Sequence, residues 1–472
     1  MILSPAANRW TAAAIAAAAL APVTASRSEP TTEDLLQKVD ELSQKVLVLE
    51  RKLEIQDEAT QTSVKSSPVV KASSKGYSIE SPDKQNVVKI RGTLHFDSRH
   101  FADDVTPETA DTFLLRRVRP TIEGTLGGIY DFRFTPDFAG GRAIILDAFA
   151  AARFQPWFAM TAGKFKVPVG LERLQSANDI RFVERAFPTS LLPNRDLGVS
   201  LGGDLLGGAV NYSVGYYNGV TDGGSSDAIG DVETDTAGDY AARLYVNPFA
   251  ESESFALRGL GFGIAGTINS VTGDPVNSLL PSYRTPGQQT FFRYRANSAT
   301  SAGAYADGER LRWTPQLYYS VGRFGLLGEY AVVEQDVSRA TATAGLRSDT
   351  VESTAWQVAA HWFLTGEEEA FKGFKPNNVF SLADGTWGAW ELVARYHELE
   401  ISDEAFAGGV DSFADPLASP RKASAYGVGV NWYLNDNVKW VINYEKTEFE
   451  GGAVDGDRPD EEAILTRVAV GF

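Results

Sequence analysis

From Tyr77 to its last residue the chain alternates apolar and polar side chains in short segments, and this two-residue period most limits what it can fold into. Val88, Ile90, Leu94 and Phe96 share one parity, while Lys89, Arg91, Thr93, His95 and Asp97 share the other. Tyr130, Phe132, Phe134 and Phe138 alternate with Asp131, Arg133, Thr135 and Asp137. Near the end, Ile464, Val468, Val470 and Phe472 alternate with Leu465, Arg467, Ala469 and Gly471. Successive side chains on a strand point to opposite faces, so each segment reads as a strand with one apolar and one wet face. Gly, Asn, Asp and Pro clusters separate the segments as turns do. A soluble β-sandwich alternates in the same way. An apolar closing strand with a terminal phenylalanine is instead the form recognised by the outer-membrane assembly machinery.

Composition agrees. A mean hydropathy of −0.18 is far too low for a bundle of membrane helices, but suits strands that give one face to lipid and one to water. The formal charge of −17 argues against nucleic-acid partners. There is no cysteine, and the four histidines have no ligand spacing, so neither a metal nor a cofactor is expected. Residues 1–25 read as a signal peptide, with Arg9 before an apolar Trp10–Leu20 stretch and a small-x-small site at Val23-Thr24-Ala25. That stretch is about half of the ~20 residues a membrane-spanning helix needs.

Residues 26–58 carry a heptad seam of Leu35, Val39, Leu42, Val46, Leu49 and Leu53. This predicts a short coiled-coil helix, or an amphipathic helix packed on its own chain. Val at a with Leu at d favours two strands. Residues 59–76 read as a linker without periodicity, and 77–472 as the barrel. At roughly 25 residues per strand and its connections, the barrel holds about 16 antiparallel strands, wide enough for an aqueous channel.

Several segments resemble the phosphate-selective porin O/P family. They are Leu114 to Pro120, Gly163 to Pro168, Phe182 to Arg185, Trp362 to Glu367, Gly388 to Tyr396 and Val430 to Asn435. Their order and spacing carry the resemblance, together with the helix ahead of the barrel. It implies a sixteen-stranded trimeric pore in the outer membrane of a Gram-negative bacterium, with the helix in the periplasm. The implied cargo is anionic, phosphate or polyphosphate, and the barrel contacts lipid and lipopolysaccharide. A third loop is expected to fold into the lumen near 167–196, where Pro168, Gly170, Pro188 and Pro193 interrupt all alternation. In the family a basic residue and neighbouring serines precede the Phe-x-Glu-Arg stretch. The matching positions are Arg173, Ser176 and Ala177, so an arginine replaces the usual lysine and an alanine replaces one serine.

Charge placement fits an anion pore. Phe113–Ser200 holds twelve Lys/Arg against eight Asp/Glu, a net +4 inside a chain of −17. With Leu114, Val118 and Ile122 facing lipid, Arg117, Arg119, Thr121 and Glu123 face the lumen. Arg116 then falls on the lipid parity, which costs about 2–4 kcal/mol at mid-depth, so it must snorkel or be turned inward by a bulge. Lys164 and Lys166 share a parity opposite Phe165, a second basic strip. The expected anion-contacting set is Arg116, Arg117, Arg119, Lys164, Lys166, Arg173, Ser176, Arg181 and Arg185. The competing reading for each arginine is a wall salt bridge with Glu123, Asp131, Glu172 or Glu184.

Asp204–Asp239 holds seven acids and no base, and would repel anions if it leaned over the mouth. The alternative cargo is acidic sugars or other small solutes passing a less selective porin. A barrel enzyme is disfavoured, because no serine pattern stands near a histidine.

Overall fold

The computed structural model describes residues 31–102, 111–226, 237–341, 343 and 345–472. The expected signal peptide lies outside them. The chain divides into two units, Met1–Ser67 and Pro68–Phe472.

The first unit holds helix α1, Thr32–Ser66. Thr31 and Asp34 form a capping box that satisfies two otherwise orphaned backbone amides. The six seam residues are each more than half exposed. The helix runs through the first half of the expected linker, because no glycine or proline interrupts residues 59–67. Pro68 ends it by forcing Ser67 into extended geometry (φ −83°, ψ 142°). The rest of that linker is also structured. Val69–Ser73 and Gly76–Glu80 pair as a hairpin, and the second of these pairs onward with Val87–Ile90. Gly76 makes the tight turn at φ +96°, where a Cβ would lie 2.3 Å from the Ile90 carbonyl oxygen.

The second unit is a closed barrel of sixteen antiparallel strands. They are β1 (Val87–Phe101), β2 (Thr112–Leu126), β3 (Tyr130–Asp137), β4 (Ile144–Gln155), β5 (Phe158–Lys166), β6 (Arg195–Leu205), β7 (Val210–Tyr217), β8 (Asp239–Val246), β9 (Leu260–Thr272), β10 (Tyr305–Val321), β11 (Phe324–Thr341), β12 (Gly345–Phe363), β13 (Ala389–Ile401), β14 (Pro420–Tyr433), β15 (Val438–Ala453) and β16 (Glu461–Gly471). Each pairs with its sequence neighbour, and β16 closes on β1 from Ala463↔Phe101 to Gly471↔Thr93. Closure leaves no open edge in the bilayer, where an unpaired backbone group has no water to turn to.

The predicted parity holds on the outer face of the strands that flank the closure. Ile90, Leu94 and Phe96 on β1, Ile442 and Tyr444 on β15, and Ile464 and Val468 on β16 are all exposed. Trp390, Trp432 and Trp440 stack across β13–β15 near one barrel end, with centroids 5.1 and 6.4 Å apart. Such rows form the interfacial girdles of membrane barrels.

The lumen is partly filled by three loops: L3 (167–194), L5 (273–304) and L7 (402–419). Phe187, Leu191 and Leu192 of L3, Phe291 and Phe292 of L5, and Phe413 of L7 form one buried apolar cluster with Ala331, Val333, Leu399, Ala423 and Phe449 of β11–β15. Burying each large side chain contributes about 1.5–3 kcal/mol. Inward wall positions here carry Ala, Val and Leu because loops cover them.

Candidate pore site

L3 leaves β5 and turns into the barrel at Gly170, whose φ of +84° glycine tolerates best. Strands on the far wall then hold its backbone. Leu171 N–H donates to Glu329 (2.5 Å), Val183 N–H to Asn443 Oδ1 (2.7 Å) and Phe187 N–H to His397 Nδ1 (3.2 Å). Arg181 is buried between two carboxylates, 2.8 Å from Glu369 and 2.8 Å from Glu391. Tyr318 and Tyr433 donate to the same two acids. His361, Glu369 and Glu391 bring three ligand-type atoms within 4.8 Å of one another, but the Arg181 guanidinium already pairs with both carboxylates.

On the near wall Glu184 is the hub. Arg116 grips it with two bonds (2.6 and 3.1 Å), and Arg99 and Arg467 stand 3.5 and 3.8 Å away. Burial pushes the Glu184 carboxyl up, but Arg116, Arg117 and Arg467 outweigh it and hold the group well below the usual carboxylate range.

The register explains Arg116. His95 pairs with Arg117 and Phe96 with Leu115, so Arg116 is the extra residue of a β-bulge. Both arginines therefore reach the lumen. The bulge also inverts the parity before it. Leu115 faces outward at 52% exposure and Leu114 lines the interior, which corrects the lipid-facing assignment of Leu114.

Between L3, β2, β4 and L5 lies a chamber of about 950 Å³. Nine cations and three carboxylates line it: Arg116, Arg117, Arg119, Arg142, Lys166, Arg173, Arg185, Arg195 and Arg284 against Asp137, Glu184 and Asp222. Some are wall ion pairs, as in Arg119–Asp137 (2.6 Å) and Arg195–Asp147 (2.8 Å). Four others are held by neutral acceptors and have no ion-pair partner among the described residues. Arg117 donates to His95 Nδ1 (3.0 Å). Lys166 donates to the carbonyls of Arg173 and Gln175 (2.9 and 2.8 Å). Arg173 donates to the Thr189 carbonyl, and Arg185 to those of Glu172 (3.1 Å) and Gln175 (2.9 Å). Burial, then Arg185 and Arg195, pulls the Arg173 guanidinium down to about 9, still charged at neutral pH.

Of the residues expected to contact anions, Arg116, Arg117, Arg119, Lys166, Arg173 and Arg185 come together in this chamber. Three do not. Lys164 is buried against the Ser226 carbonyl and takes the row of outward-facing Val199 and Leu201. Arg181 is locked in its acid pair. Ser176 lines a second cavity of about 640 Å³ on the far side of the L3 tip, with Arg91, Asn178 and Lys439. Of the acidic segment, Asp222 and Asp239 bind the buried Arg312 (2.8 and 3.0 Å), and residues 227–236 lie outside the described ones. Arg284 carried no signal in the sequence. Arg467 did, through its lumen parity on the closing strand.

A closed sixteen-stranded barrel with a girdled apolar exterior and an inward-folded loop beside a charged lumen is an outer-membrane porin of a Gram-negative bacterium, a channel rather than an enzyme. The chain belongs to the phosphate-selective porin O and P family, which it matches over residues 88–472. It is 22% identical over 425 residues to Porin O of Pseudomonas aeruginosa, covering 84% of this chain and 91% of that protein. Among solved structures, Salmonella typhi OmpF in complex with daunomycin shares the fold, with a TM-score of 0.50, 11% identity, and coverage of 82% of this chain and 98% of that one.

Proposed function

We propose that the barrel is an anion-selective diffusion pore, with phosphate or polyphosphate as cargo and the L3 chamber as its selectivity element. The observation that carries this is the set of four cations, Arg117, Lys166, Arg173 and Arg185, none of which forms an ion pair with a carboxylate among the described residues. Low-dielectric walls focus the field of this cation excess on the passage and raise local anion concentration. Arginine binds phosphate oxygens in a planar fork, and holding each guanidinium by carbonyls keeps it aimed without neutralising it.

A second reading, a less selective porin for acidic sugars or other organic anions, draws on the chamber's size and on Leu114, Leu146 and Leu280 along its lining. An inorganic phosphate needs neither the volume nor the apolar surface. In the same proposal, α1 lies in the periplasm. Its exposed seam then pairs between copies of a homotrimer, and the barrel contacts lipid and lipopolysaccharide.

Reversal potential in a planar bilayer under a KCl gradient, followed by phosphate titration, tests the reading. Anion preference with phosphate block, weakened in Arg173→Ala, supports it. Cation preference overturns it. Anion preference with equal block by phosphate and a sugar acid favours the second cargo.

A further inference from the structure

Arg117 is 3% exposed, and its guanidinium donates to an imidazole that is itself fully buried. That contact fixes the tautomer of His95. An Nδ1 that accepts from Arg117 carries no proton, so Nε2 carries it and donates to Asn178 Oδ1, 3.0 Å away. Asn178 then donates through Nδ2 to Thr93 Oγ1 at 3.1 Å. The relay Arg117→His95→Asn178→Thr93 is directed at every step. It requires a neutral ring, because a proton on Nδ1 would face an arginine N–H.

The relay joins the barrel wall to the tip of L3. Its landing place is kept clear by Gly471 on β16, where a Cβ would lie 2.4 Å from Asn178 Nδ2. The tip is also where the two cavities meet: Ala177 lines the outer chamber, while Ser176 and Asn178 line the inner one. Arg117 lines the first and Asn178 the second, with His95 bridging them.

We propose that His95 is the positioning residue of the constriction. It pins the L3 tip to β1 and aims Arg117 while leaving that arginine's charge intact. A carboxylate at this position would orient Arg117 equally well but would cancel its charge. A neutral acceptor that also donates onward does both tasks, which is why an imidazole suits the place. The selectivity half of this inference rests on the anion-pore reading, and the pinning of the L3 tip does not.

Three variants in planar bilayers separate the parts. His95→Gln supplies an amide oxygen to Arg117 and an N–H to Asn178. It is expected to keep conductance and phosphate block within about twofold of the parent. His95→Ala loses both bonds. It is expected to raise single-channel conductance at least about twofold and weaken phosphate block by about tenfold. Asn178→Ala frees the tip but leaves Arg117 held, so conductance rises while the reversal potential stays near the parent's.

Equal behaviour of His95→Gln and His95→Ala, or no conductance change in Asn178→Ala, overturns the proposal. If the parent shows no anion preference, the pore reading fails, and the conductance pattern still decides the latch. Heat-modifiable migration on gels confirms that each variant folds. Should His95→Ala not fold, the loop-side Asn178→Ala decides the same point.

Discussion

The two sides of the lumen obey one barrel rule and end in opposite chemistry. Along β11–β15 the inward Ala, Val and Leu form an apolar patch onto which L3, L5 and L7 pack phenylalanines, and Glu329, His397 and Asn443 beside it hold the L3 backbone. Along β1–β6 the inward and rim positions are Arg, Lys, Asp and Glu around an open chamber. Strand length differs too: β10–β12 run 17 to 19 residues, whereas β3 and β5 have 8 and 9. The contrast teaches that the apolar side is a platform. It fixes L3 against one wall so that its polar edge meets the other at a defined distance. Selectivity on the charged side then depends on packing on the other.

Cutting the ionic anchor of L3 on the platform should have the largest effect. Arg181→Ala leaves Glu369 and Glu391 buried without their cation, a loss of about 3–5 kcal/mol in the local fold. Hydrogen exchange of L3 amides should accelerate while barrel amides stay protected. Phe187→Ala comes next. Its ring lies 4.4 Å from His397 and 5.7 Å from Phe291, and truncation should cost about 3–4 kcal/mol. The same exchange measurement should show L5 loosening with L3. If L5 amides are unmoved, the two loops do not share a core, and the platform idea fails.

On the charged side the comparison sharpens to paired against unpaired cations. Arg173→Ala should weaken phosphate block about tenfold, because a charge-assisted contact is removed with no acid to balance. Replacing both Arg119 and Asp137 by glutamine and asparagine removes charges that already cancel, and block should stay within about twofold. Equal effects would mean that wall pairs, too, set the selectivity.

Much of this architecture was legible in the sequence. The two-residue period gives the strands and the lipid face, and the charge excess between Phe113 and Ser200 points to the side of the barrel that becomes the chamber. The misplaced parity of Arg116 flagged the bulge, because an arginine in lipid is too costly to leave there. The destinations of Arg181 and Lys164 were not legible. Both depend on contacts far along the chain, with Glu369 and Glu391 for one and the Ser226 carbonyl for the other. Local periodicity carries no information about such partners. The helix past residue 58 was missed for the opposite reason: polar residues without a seam continue a helix well when nothing breaks it.

Acid titration gives the smallest and most graded test. Burial pushes the Glu369 carboxyl up, but Arg181 and His361 outweigh it and hold the group down to about 2. Unfolded or released, it returns to the ordinary value near 4.3. A folded value below the released one means that the contact stabilises L3 above that ordinary value and fades as pH falls toward about 2. Conductance noise should therefore stay flat from neutral pH to about 4.5 and grow below it. Glu369→Gln lacks the titrating group, so its noise should be raised at neutral pH and change far less over the same range. Growth of noise already at pH 6 in the parent would place the sensitive group elsewhere and detach L3 anchoring from this carboxylate.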